Sequence, residues 1–149
     1  LARSALLDSG KFALSDIADG MDVTIMDSLL AVHKSYLMEV KSIWKTFGKS
    51  SINGMVHITG GGFYDNIPRV IPEGKSLLVD TSKWEVPPIF NLIAECGEVA
   101  AEEMYRVFNM GIGMVLIMTD GMDPNSIDGI EAIQIGHISD GDNKVIVDI

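Results

Sequence analysis

Met55-Val56-His57-Ile58-Thr59 runs straight into Gly60-Gly61-Gly62 and then Phe63-Tyr64-Asp65-Asn66-Ile67-Pro68. The first five residues predict a strand and the glycines a sharp corner. Phe63 to Ile67 predicts a short helical stretch that Pro68 limits. Side-chain alternation places Met55, His57 and Thr59 on one face of the strand and Val56 and Ile58 on the other. Reading outward from this strand, corner and helix decides the class of fold.

Upstream, residues 1–9 predict a helix stopped by Gly10, and Asp16 to Asp22 predict a loop. Between Asp27 and Phe47 the apolar positions Leu37, Val40, Ile43, Trp44 and Phe47 fall at helical spacing, with Gly48 as the stop. Lys49 to Gly54 reads as the turn into the strand. Downstream, Ser76 to Asp80 predicts a second strand. Pro87-Pro88 opens a helix over Ile89 to Glu95, because proline suits a first helical turn. A further helix covers Ala100 to Phe108. Ile112 to Met118 is an unbroken apolar run of strand length, the pattern of a strand covered on both faces. Ala132 to Ile138 and Lys144 to Val147 predict two strands. The Ser139-Asp140-Gly141-Asp142-Asn143 connection between them predicts a hairpin. Helices interleaved with strands give an α/β (α+β) sandwich, a mixed β-sheet flanked by helices.

The chain has 149 residues, enough for one compact domain and too few for two. Apolar residues at 47% and charged residues at 21% exclude a disordered chain. A formal net charge of -10 with no basic stripe argues against a nucleic-acid surface. It leaves room for one small phosphate-bearing ligand held by backbone N–H groups. The single cysteine, Cys96, excludes an internal disulfide and points to a reducing, cytoplasmic setting. No apolar run approaches the roughly 18 residues of a membrane span. Leu1 to Leu7 reads as the inside of an amphipathic helix without an initiator methionine, so the expectation is a piece of a longer protein.

Chemistry concentrates in two segments. At the glycine corner, Gly60, Gly61 and Gly62 permit positive φ and close approach, and free N–H groups there form an anion cradle. Thr59 adds a hydroxyl, and composition alone leaves a tight turn equally open. His57 shares the face of Thr59, where an imidazole contacts a phosphate or relays a proton; a hydrogen-bonded structural histidine is the competing reading. Asp65, Asn66 and Arg69 follow within about one helical turn. The second segment is Phe108-Asn109-Met110-Gly111-Ile112-Gly113, where Asn109 ends a helix and the glycines allow close approach or simply ease packing. No metal spacing appears, since His33, His57 and His137 are far apart in sequence. The methionines Met104, Met110, Met114 and Met118 read as core packing.

Three blocks taken together resemble a known family. They are Gly54 to Phe63 continuing through Asn66-Ile67-Pro68-Arg69-Val70-Ile71-Pro72-Glu73-Gly74, then Trp84-Glu85-Val86-Pro87-Pro88-Ile89-Phe90, then Glu102 to Val115. In this order and spacing the chain is similar to the carboxy-terminal domain of the aminoimidazole ribonucleotide synthetase (phosphoribosylformylglycinamidine cyclo-ligase) family. Weaker likeness extends over nearly the whole chain.

The resemblance implies an ATP-dependent ligase of purine biosynthesis. Formylglycinamidine ribonucleotide is closed to aminoimidazole ribonucleotide, with the amide oxygen phosphorylated so that it can leave. It also implies that ATP and Mg2+ are held mainly by an amino-terminal domain outside residues 1–149, and that the full-length protein is a homodimer. The carboxy-terminal domain then faces the amino-terminal one and helps hold the phosphoribosyl substrate. On this chain that assigns Thr59, Gly60, Gly61, Gly62, Asn66 and Asn109 to substrate or phosphate binding and His57 to catalysis, with no metal ligand. The chain departs from the family in two places. Val32-His33-Lys34-Ser35-Tyr36 stands where relatives carry a Pro-Thr-Arg-like approach to a tyrosine, with Lys34 keeping a positive charge. The connection between Met118 and Ala132 is short. Two other readings stay open: another ATP-dependent member of the superfamily, such as the related amidotransferase or selenophosphate synthetase, and a non-catalytic binding or assembly module.

Overall fold

A computed structural model describes residues 1–149. Strands β1 (Ile52–His57) and β3 (Met114–Met118) pair antiparallel, with His57 opposite Met114 and Val56 opposite Val115. A second, three-stranded sheet is mixed: β2 (Lys75–Asp80) is its centre, antiparallel to β4 (Gly136–Asp140) and parallel to β5 (Val145–Asp148). Five helices accompany them: α1 (Ile25–Leu29), α2 (Leu37–Phe47), α3 (Gly62–Asn66), α4 (Pro88–Gly97) and α5 (Ala101–Val107). The fold is α+β, with a mixed sheet as the sequence predicts.

Local chemistry explains most boundaries. Thr24 caps α1, its Oγ1 accepting the Asp27 N–H at 3.1 Å. Gly48, at φ 85°, ends α2, and Pro88 occupies the first turn of α4. The expected amino-terminal helix is a short π-type turn, Ser4–Asp8, closed by Gly10 at φ 71°. Residues 30–36, between α1 and α2, form a strap without regular structure.

Two expectations are corrected. β4 and β5 do not form a hairpin. β2 lies between them, so that Leu77 faces Ile138 on one side and Val145 on the other. The connecting residues arch over the start of β2, where the Gly141 N–H donates to the Gly74 carbonyl at 3.0 Å and the Lys144 N–H to Ser76 Oγ at 3.2 Å. Spanning two strand spacings takes about 10 Å, which a few extended residues cover. The same turn residues therefore serve a split pair as well as a tight one. β4 also starts late, because Ala132 is held to Asn125 by reciprocal hydrogen bonds of 2.7 and 2.9 Å. Second, β3 is not covered on both faces: Val115 is buried and its neighbours are half-buried. A two-stranded sheet has one face on the core, here Val56, Val115 and Ile117, and another bearing Met55, His57, Met114 and Leu116.

The core joins both sheets to α3, α4 and α5 through Phe63, Ile67, Leu77, Val79, Ile93 and Met104. Phe63 stacks on Trp84 at 6.1 Å and meets Tyr105 edge-on at 5.6 Å. The Trp84 indole N–H is satisfied by the Met110 carbonyl at 2.9 Å. This aromatic group ties the Trp84 segment to the loop before β3, and so holds the two chemistry-bearing segments to one scaffold.

Candidate functional site

β1 ends where β3 begins. His57 pairs with Met114, and the next amide, Ile58 N–H, donates to the Gly113 carbonyl at 2.9 Å. The corner Thr59–Gly62 and the turn Asn109–Gly113 are thereby delivered to the same end of one sheet.

The three glycines play different parts. Gly60 is exposed with nothing within 4 Å of where a Cβ would stand, while Gly61 takes φ 93°. The N–H groups of both have no acceptor within the protein. Gly62, at φ 54°, is buried against the backbone of Tyr105 and Arg106. Its N–H closes the turn onto the Thr59 carbonyl at 3.0 Å. Of the three glycines, only Gly60 and Gly61 keep an unpaired N–H. α3 spans only five residues, so its dipole adds little positive potential at this corner.

Asn66 is 5% exposed and turns inward. Its Nδ2 donates toward the carbonyls of Gly62 at 2.8 Å, Gly60 at 3.2 Å and Thr59 at 3.4 Å. The amide expected to touch a ligand is the clamp that shapes the loop. Asn109 likewise organises its own turn: its Oδ1 accepts the Gly111 N–H at 3.1 Å, across Met110 at φ 49°. Gly111 lies against Pro87 and Gly113 against His33 and Tyr36, so these glycines serve packing.

His57 is exposed and meets His33 with Nε2 to Nε2 at 2.8 Å. His33 and Tyr36 both press on the Cα of Gly113, their rings 5.8 Å apart edge to face. Sequence spacing concealed this partner, because 24 residues separate the two histidines. The visible signal was the departure at Val32–Tyr36, yet the residue brought to the corner is His33. Lys34 pairs with Glu39 at 2.9 Å, a hydrogen bond that raises the lysine pKa and lowers that of the carboxylate. Arg106 lies over the Tyr64 ring at 4.7 Å and is tied to Glu102 and Glu103, leaving no cation at the corner from α5. A broad surface hollow lies elsewhere, lined by Asp80, Lys83, His137 and Asp148 on the mixed sheet.

Residues 4–149 match the family described as AIR synthase related protein, C-terminal domain. The chain belongs to this family. It is 38% identical to the phosphoribosylformylglycinamidine cyclo-ligase of Syntrophus aciditrophicus, over 97% of the chain and 42% of that protein. It is 39% identical to that of Carboxydothermus hydrogenoformans, over 99% of the chain and 43% of the relative. The enzyme of the same name from Myxococcus xanthus is 35% identical over 97% of the chain and 42% of its own length. The chain thus spans less than half the length of these curated relatives. Both segments at the end of the β1–β3 sheet fall inside the span matched by the AIR synthase related C-terminal family. No helix is long and apolar enough to cross a membrane.

Proposed function

We propose that the chain is the substrate-side, carboxy-terminal domain of a cyclo-ligase that closes formylglycinamidine ribonucleotide to aminoimidazole ribonucleotide in purine biosynthesis. The observation that carries this reading is the meeting of two family-like segments at one end of the β1–β3 sheet, where the N–H groups of Gly60 and Gly61 are unpaired, Gly60 borders open space and Gly61 lies against the Asp65 side chain. These groups suit the phosphate of a phosphoribosyl substrate, with the exposed Thr59 hydroxyl beside them. A net charge of -10 gives no attraction at a distance, so the anion is held by local donors. His57, one residue pair from the corner, orients the reacting end or takes up its proton.

No group of three or more His, Cys, Asp or Glu side chains converges to suit a metal ion. Following the family resemblance, the proposal places ATP and Mg2+ on an amino-terminal domain of the same protein, and no step on this chain runs through them. ATP there supplies the phosphoryl group that makes the amide oxygen able to leave. Holding the substrate against that domain gives this chain its part in the rate, through positioning. The unpaired Cys96 accords with a reducing, cytoplasmic setting, and the whole protein is proposed as a homodimer.

The test is a titration of the 15N-labelled chain with ribose 5-phosphate. Amide shifts at Gly60 and Gly61 are expected, and perturbation confined to the hollow around Asp80 and His137 would sink the assignment. In assays with formylglycinamidine ribonucleotide and ATP, the chain alone is expected to be silent. Adding the separately produced amino-terminal domain is expected to restore turnover; turnover without it contradicts the reading.

A further inference from the structure

Between two neutral imidazoles, a hydrogen bond from Nε2 to Nε2 requires opposite tautomers: one ring carries its proton on Nε2, the other on Nδ1. His33 and His57 meet in this way at 2.8 Å, their rings inclined at 67° in an edge-on arrangement rather than stacked. Neither Nδ1 finds an acceptor or donor in the protein, so the pair presents one Nδ1–H and one bare Nδ1 to its surroundings.

Both rings are held from behind. His57 is fixed by the β1–β3 ladder opposite Met114. His33 is seated on the bare Cα of Gly113: a Cβ there would lie 2.7 Å from His33 Cε1 and 2.9 Å from its Nε2, and would run into Tyr36 Oη. The rest of the strap turns outward, with Val32 95% exposed and Leu30 72% exposed. Its one cation, Lys34, bonds Glu39 of α2, and Glu131 acts on it as well. Tyr36 shares the contact, its ring edge-on to His33 and its Oη against Gly113.

We propose that His33 is the positioning residue of His57, holding its ring in place and keeping its tautomer opposite to that of His33, as half of a proton-sharing imidazole pair. This rests on the reading of His57 as a site residue given above. The proton count closes. A proton accepted at the bare Nδ1 makes that ring cationic, its Nε2 proton crosses to the facing Nε2, and the facing ring gives up its Nδ1 proton. One proton enters and one leaves, and each ring ends in the tautomer the other held.

The test is imidazole 15N NMR of the whole chain. In the native chain His33 and His57 are expected to show opposite tautomers, with the exposed His137 as an unpaired internal reference. His33→Ala is expected to give His57 the mixed tautomers of a free imidazole. Gly113→Ala dislodges the strap while leaving both histidines in the sequence, and is expected to do the same. His33→Gln keeps one hydrogen-bonding group in reach and is expected to restore a single dominant form. An unchanged His57 spectrum in all three variants overturns the proposal. Ribose 5-phosphate separates the two readings: if the tautomer lock is lost in His33→Ala but no Gly60 shift occurs in the native chain, the pair stands and the substrate site falls.

Discussion

Gly62 rests directly on the main chain of Tyr105, where a Cβ would overlap the Tyr105 carbonyl oxygen and lie 2.9 Å from that of Arg106. This contact docks α3 against α5 and fixes the end of the glycine corner. Three identical residues in the sequence are therefore unequal: Gly62 serves packing, Gly61 the backbone bend, and Gly60 the open surface.

That inequality is measurable. Gly62→Ala combines a backbone overlap with a left-handed φ of 54° and is expected to cost roughly 2–4 kcal/mol. Gly60→Ala meets nothing within 4 Å at ordinary φ and is expected to stay within about 0.5 kcal/mol of the native chain. Urea unfolding midpoints compare them, and equal losses would contradict the assignment.

Asn66 gives a second handle on the same loop. Its Nδ2 faces three carbonyl oxygens, so Asn66→Ala leaves them short of a donor and is expected to cost about 1–3 kcal/mol. Asn66→Asp replaces the donor by an oxygen pointed at those carbonyls and is expected to be worse than Ala at neutral pH. Thermal unfolding decides; an Asp variant as stable as native would show that the clamp is not made.

How far the sequence was readable depends on the range of the contacts. Helical spacing from Leu37 and the stop at Gly48 gave α2 its observed bounds, and alternation put Met55 and His57 on the exposed side with Val56 buried, because both signals are local, although β1 ends at His57 rather than Thr59. The strand partner of Ile138 is Leu77, 61 residues away, and nothing near Gly141 announces it. The corner was recognisable from Gly60 to Gly62, but its clamp Asn66 reads like any polar residue near a site. His33 was hidden for the same reason: its role exists only once β3 brings Gly113 beneath the strap.

The split arrangement of the last two strands predicts a specific pattern of contacts. Cross-strand NOEs are expected between Leu77 and Ile138 and between Leu77 and Val145, with none between the backbones of β4 and β5. Ser76→Ala removes the acceptor for the Lys144 N–H and is expected to cost about 1 kcal/mol. Faster amide exchange at Lys144 should accompany it. Direct β4–β5 NOEs would restore the hairpin and overturn the topology.

The edge of that sheet also predicts an acid dependence. Lys75 on β2 hydrogen-bonds Asp140 on β4 at 2.6 Å and holds the carboxyl below its ordinary value of 3.8. A carboxylate whose folded pKa is depressed binds fewer protons folded than unfolded. Its contribution is therefore complete above 3.8 and lost as pH falls from there through the folded value. Lys75→Met removes the cause, so the native chain should be the more stable near pH 6, the two curves converging on acidification below 3.8. Asp80, also held low by Ser82 and Lys83, titrates in both proteins and cancels from the comparison. Because the pair is exposed, added salt should shrink the difference at pH 6. Urea unfolding across this pH range, at low and high salt, is the measurement. A gap between the two proteins that persists unchanged at the acid end would mean that Lys75 acts through its aliphatic stem rather than through its charge.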